Sequence, residues 1–293
     1  MDFVSIALIA VIVLLYSLQT LFCTLYNKRY PGKPEWSSPV FCTLEGIFIT
    51  LITWALNGFH FSPSLTTVLF GCLNALILFG YNTSLIAAGK RGSYAFFNMV
   101  LLYGAILVPM AYSVLFLNEK TTVLQWIGVG MMLAAFLLMN WDGKGAQATD
   151  KSYYLFCALL FLCNGLYSVV LKMQSDYTST ESSEMIMITF GAMGLIALIQ
   201  LALKEKGSTL RAFRQTKESL LPLCACLLVA GLAINGLVRI LPRVNSVVLF
   251  TVENGGVLLL SSLYAFLLFK EKPEAKKLIG IGIAIVSITL LSL

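Results

Sequence analysis

Long apolar runs broken by short polar turns dominate this chain. They fall near residues 3–26, 39–57, 65–88, 93–117, 122–140, 153–173, 184–203, 219–241, 245–269 and 275–292. Most reach the roughly 20 residues that a helix needs to cross the hydrocarbon core of a bilayer. None alternates apolar and polar positions in the ten-residue segments of a membrane barrel. Backbone amides find no water partner in hydrocarbon, so the runs predict helices. The expected fold class is all-α, a polytopic membrane protein with ten transmembrane helices.

Composition agrees with that pattern. Hydrophobic residues are 58% of the 293 and charged residues 12%, and the mean hydropathy is +0.86, well beyond a soluble domain. The first run opens on Met1-Asp2 without a basic leader and ends at Asn27, Lys28 and Arg29 without a small-residue cleavage site. It reads as a first span and not a signal peptide. The seven cysteines, Cys23, Cys42, Cys72, Cys157, Cys163, Cys224 and Cys226, all fall inside apolar runs. There they act as small hydrophobes, and neither a metal site nor a cofactor is expected.

The net charge of +6 is distributed by loop and does not indicate nucleic acid. Lysine and arginine number 3, 2, 2, 5 and 4 in the odd loops against 1, 1 and 2 in the fourth, sixth and eighth. The positive-inside rule then puts the odd loops in the cytoplasm and both termini outside it.

Self-similarity is the most specific signal. The segment from Leu117 to Gly130, LNEKTTVLQWIGVG, realigns after a shift of 152 with Phe269 to Gly282, FKEKPEAKKLIGIG. Glu119 meets Glu271, Lys120 meets Lys272, and Ile127, Gly128 and Gly130 meet Ile279, Gly280 and Gly282. The same shift pairs Arg91 with Arg243 and Tyr112 with Tyr264. A seven-residue gap brings Gln19 onto Asn164 and Leu21 onto Leu166. The expected organisation is a five-helix repeat over 1–145 and a second over 146–293, in one bundle. Five spans per copy is an odd number, so the copies enter the membrane with opposite orientation. Inverted repeats are the architecture of alternating-access carriers, with the substrate near the midplane.

The residues LFLNEK at 115–120 with IGVG at 127–130, and LLFKEK at 267–272 with IGIG at 279–282, resemble the drug/metabolite transporter superfamily. The match is to its ten-helix bacterial members made of two EamA domains. That resemblance covers nearly the whole chain in span order. It implies a basket of ten helices around a central cavity, a bacterial inner membrane, and secondary transport of a small polar or amphipathic metabolite. Nucleotide-sugar and sugar-phosphate relatives make exchange of such anions an alternative, and a channel or a non-transporting scaffold would read alike in hydropathy. The repeated Glu-Lys pairs also suit a helix-start role, since a carboxylate near the following helix N-terminus meets its dipole. Gly128, Gly130, Ala134, Gly280, Gly282 and Ala284 put small residues on one flank of the fifth and tenth spans. They suit close packing within the monomer or a homodimer.

Ionisable residues inside spans are functional candidates because charge there is costly. Glu45 in the second span and Glu253 in the ninth are the expected coupling residues, since burial disfavours a charged carboxylate and favours proton exchange. Glu253 is followed by Asn254, Gly255 and Gly256, and the adjacent glycines predict a weakened helix whose carbonyls face a cavity. The expected substrate-binding residues are Glu253, Asn254, Asn98, Tyr94, Tyr81, Asn74, Gln19 and Asn164. Asn82, Tyr103, Tyr167 and Asn235 are further polar positions, and each amide has an interhelical hydrogen bond as its alternative role. Lys90, Arg91, Arg239 and Arg243 flank turns where they either snorkel or meet an anionic substrate. The four aspartates lie at the terminus or in loops and His60 lies in the second loop. No aspartyl pair or Ser-His dyad can then form within the membrane, and enzymatic activity is not expected.

Overall fold

The computed structural model describes residues 3–89, 94–140, 151–204, 209–267 and 275–292. Lys90, Arg91, Glu271 and Lys272 lie outside the described residues. The helices are α1 (Phe3–Arg29), α2 (Pro34–Leu56), α3 (Leu65–Gly89), α4 (Tyr94–Phe116), α5 (Val123–Asn140), α6 (Lys151–Tyr177), α7 (Ser182–Lys204), α8 (Thr209–Arg214), α9 (Leu220–Ile240), α10 (Ser246–Leu267) and α11 (Ala275–Ser292). No strand occurs among the described residues.

Among the described residues, six segments are long and apolar enough to cross a membrane: Val4–Tyr26, Trp36–Leu56, Leu65–Leu85, Ser152–Tyr177, Ser179–Leu203 and Thr209–Ile240. Val100–Phe116, Val123–Leu138, Ser246–Ser261 and Leu278–Leu291 are shorter apolar helices. The chain is an all-α integral membrane protein. Helix α3 illustrates why in its side chains. Leu65, Leu69, Leu73 and Leu76 form an exposed stripe, while Thr67, Gly71, Asn74 and Ala75 are buried. An apolar stripe of that length is costly in water and at home in lipid.

Helix ends follow local chemistry. Pro34 starts α2, where a missing N–H costs nothing. Thr122 and Gln125 exchange side-chain to backbone bonds of 3.1 and 3.2 Å at the start of α5, a capping box. Asn245 Oδ1 accepts from the Val247 and Val248 amides at 3.0 and 3.3 Å at the start of α10. The α7–α9 connection, read from sequence as a loop, contains the short helix α8.

The chain divides into two compact units, each drawn from both halves. The first takes the described parts of 1–13, 80–172 and 243–293; the second takes 14–79 and 173–242. The most extensive pairing in the first unit is α5 with α11. Gly128, early in α5, packs against Ser287 and Leu291, late in α11, so the two run antiparallel. Ser287 Oγ donates to the Gly128 carbonyl at 2.6 Å. A cluster of Ile106, Val129, Met132, Phe136, Val247 and Ala284 fills the space between α4, α5, α10 and α11. Gly130 and Gly282 face open space.

In the second unit the dominant pairing is α2 with α7. A Cβ on Gly46 would lie 2.6 Å from the Phe190 carbonyl oxygen and 2.7 Å from Gly194 Cα. A Cβ on Gly194 would lie 3.5 Å from the Cys42 carbonyl oxygen. Thr50 Oγ1 donates to the Met187 carbonyl at 3.2 Å. Contacts that climb along α2 descend along α7, so this pair too is antiparallel, crossing backbone on backbone.

Candidate functional site

In the first unit the sequence-predicted residues Glu253 and Asn254 sit at the middle of α10, half-buried. Asn254 Nδ2 donates to Glu253 Oε2 at 2.9 Å and to the Phe250 carbonyl at 2.8 Å. The carboxylate therefore has a donor from its own helix. The glycines expected to weaken the helix cause no interruption, and α10 continues through Gly255 and Gly256 as one α-helix. Both glycines serve packing instead. The Cβ position of Gly255 is occupied by the Met132 side chain, and that of Gly256 lies 2.6 Å from Val13 Cγ1.

Asn164 on α6 donates from Nδ2 to the Leu101 carbonyl of α4 at 2.9 Å. Beside it the two helices touch through Gly104 and Gly165, where a Cβ on Gly165 would lie 2.6 Å from the Gly104 carbonyl oxygen. Tyr103 ties α4 to α5 in the same manner, its hydroxyl donating to the Leu133 carbonyl at 2.9 Å. Tyr81, partly buried, packs on the cluster of Ala88, Tyr153, Cys157 and Leu160. Tyr94 and Asn98 lie in the first turns of α4, and their side chains are outside the described set.

The same unit holds a charged cluster that sequence reasoning missed. Lys172, counted with the sixth loop, is in α6 at 8% side-chain exposure. Its ammonium lies 3.4 Å from Glu119 Oε1. Glu119 also accepts from the Ser246 amide at 3.0 Å and from Ser246 Oγ at 3.1 Å. The carboxylate thus meets the N-terminus of α10 and not that of the following helix α5, which the Thr122–Gln125 box already serves. A lysine one turn before a helix end was the available signal.

In the second unit Glu45 is 8% exposed on α2, one residue before the Gly46 crossing. No hydrogen-bond donor among the described residues reaches its carboxylate. Asn74 on α3 is fully buried, and neither its Nδ2 nor its Oδ1 has a hydrogen-bond partner among the described residues. The half-buried Gln19 is on α1, and its backbone carbonyl accepts from Cys226 Sγ at 3.5 Å. Asn235 takes its structural role: Nδ2 donates to Thr53 Oγ1 and to the Gly231 carbonyl, both at 2.8 Å.

A second polar network went unread. Gln174 Nε2 donates to Thr67 Oγ1 at 2.9 Å and to Thr178 Oγ1 at 2.7 Å, and Glu181 accepts from the Ser64 amide and hydroxyl at 2.9 and 2.7 Å. It joins the start of α3 to the end of α6. His60 Nε2 lies 2.7 Å from Ser62 Oγ, but both are exposed in a loop and no carboxylate among the described residues orients the ring.

Two surface clefts in this unit avoid the predicted residues. One, about 310 Å³, is lined by Thr50, Trp54, Phe61, Met187 and Ile188. The other, about 520 Å³, is lined by Leu210, Arg211, Arg214 and Gln215.

No family model matches the chain, and no curated protein matches it by sequence. Solved structures do share its fold. One crystal structure superposes over 99% of this chain and 98% of its own with a TM-score of 0.72 and 16% identity.

Proposed function

We propose that this chain is a secondary transporter of ten spans, built from two inverted five-helix repeats, that moves a small polar or amphipathic metabolite by alternating access. The observation that carries this reading is the α2–α7 crossing. α1 ends at Arg29 and α6 at Tyr177, while α2 begins at Pro34 and α7 at Ser182, both offset by 148. That offset maps Gly46 onto Gly194 and Cys42 onto Phe190. Gly46 packs on Gly194 Cα and the Phe190 carbonyl, and Gly194 packs on Gly46 Cα and the Thr43 and Cys42 carbonyls. Counterpart glycines that meet between antiparallel helices support an inverted repeat. The antiparallel α5–α11 pair joins the two segments that realign at 152 in sequence. Inverted repeats of this kind are the framework of alternating-access carriers.

The test is counterflow in proteoliposomes with amino acids, nucleotide sugars, sugar phosphates and lipophilic cations. A carrier gives saturable counterflow with one class. Flux that rises without saturation identifies a channel, and neither flux nor ligand stabilisation identifies a scaffold.

Coupling falls to Glu45 ahead of Glu253 in this reading, because Glu253 has Asn254 as a donor and Glu45 has none among the described residues. A buried charge without a partner is expensive, which makes Glu45 the candidate to exchange a proton or a cation. Glu45→Gln is expected to keep counterflow while the ratio of uptake rates at pH 6 and pH 8 falls to unity. A wild-type pH dependence in the variant would remove Glu45 from coupling.

A further inference from the structure

The α7–α9 connection carries a basic surface that transport does not use. Arg211 and Arg214 are exposed on α8 and line the 520 Å³ cleft together with Leu210 and Gln215. Lys217 follows, exposed. The segment is pinned to the α1–α2 turn. The Tyr30 hydroxyl donates to the Ala212 carbonyl at 3.3 Å, and a Cβ on Gly32 would lie 2.6 Å from Gln215 Oε1. Trp36, Val40, Leu201 and Ala212 form the buried base beneath. That turn adds exposed Arg29 and Lys33, whose ammonium lies 4.9 Å over the Trp36 ring.

We infer that this cleft binds the phosphodiester headgroup of an anionic phospholipid whose headgroup carries hydroxyls. Three observations meet there. Stretches 29–33 and 209–219 hold five basic residues against one acidic, Glu218, and no carboxylate among the described residues pairs with Arg211 or Arg214. Guanidinium forks match phosphate oxygens. Leu210 is 85% exposed beside the arginines, with Leu203 and Leu221 at 71% and 79% on the flanking helix ends. Such leucines need acyl chains around them, which sets the arginines at headgroup depth, the arrangement of an interfacial amphipathic segment. Finally, Gln215 lines the cleft, and its buried Oε1 has no hydrogen-bond partner among the described residues. An acceptor of that kind suits a headgroup hydroxyl, which phosphatidylglycerol has and phosphatidylcholine lacks.

The experiment is a titration of the purified full chain in detergent with dioctanoyl phosphatidylglycerol, dioctanoyl phosphatidylcholine or inorganic phosphate. Apparent affinity is read from the concentration dependence of Tm, since a ligand of the folded state raises it. Phosphatidylglycerol is expected to raise Tm saturably and the other two to leave the basic cleft unread. A basic side chain at a lipid surface is worth about fivefold in affinity, so Arg211→Gln with Arg214→Gln should weaken phosphatidylglycerol roughly 25-fold. The double lysine variant at the same positions should keep most of the affinity, and Lys120→Gln all of it. Equal shifts with phosphatidylcholine, an equal shift with inorganic phosphate, or an unchanged double glutamine variant would each overturn the assignment.

Discussion

Glu119→Ala is expected to destabilise the protein by about 1–3 kcal/mol, the usual cost of leaving buried polar partners without their acceptor. Lys172 is 8% exposed, and its ammonium would lose one carboxylate neighbour. The Ser246 amide and hydroxyl would lose their acceptor in the same stroke. A neutral acceptor should soften the loss, so Glu119→Gln with Lys172→Met, which removes both charges and leaves a carboxamide oxygen for the Ser246 amide, should recover part of the stability. Thermal or denaturant unfolding of wild type, Glu119→Ala and the double variant in one detergent measures the difference. An alanine variant within about 1 kcal/mol of wild type, the ordinary effect of a surface change, would mean the pair contributes little.

Gly46→Ala is expected to cost at least the 1–3 kcal/mol typical of overpacking. The added methyl would meet the Phe190 carbonyl oxygen at 2.6 Å and Gly194 Cα at 2.7 Å, and both are backbone. No side chain can rotate away, so α2 and α7 must part along their whole contact. Gly130→Ala supplies the comparison, since nothing lies within 4 Å of its Cβ position. There the helix should gain up to about 1 kcal/mol from alanine's propensity. The same substitution thus lowers Tm at one glycine and holds or raises it at the other. Equal effects at both sites would refute the crossing geometry.

Helix positions were legible because apolar length alone reports them. The α2, α4 and α10 runs were found within a few residues of their observed bounds. Partners across the chain were not legible. Glu119 was read as serving the helix that follows it, yet its donor lies 127 residues away at Ser246, and nothing local distinguishes the two. Lys172 falls at the end of the sixth apolar run, where its charge counts with the following loop, whereas α6 continues to Tyr177. Gly255 and Gly256 were read as a weak point, but a glycine in a helix serves equally to admit a neighbour, here Met132 and Val13. Asn164 and Asn235 were amides with two possible roles, and only coordinates assign them to interhelical bonds. Asn74 and Glu45 keep their candidacy because no such bond claims their side chains.

A crossing made of backbone asks little of the alphabet. Where Gly46 meets Gly194, the requirement is that a side chain be missing, and lipid accepts almost any apolar residue on the outer stripes. Fold information in such a chain is concentrated at a few small positions and thin elsewhere. Sequences can then differ widely over one architecture, and one solved structure superposes over 99% of this chain at 16% identity.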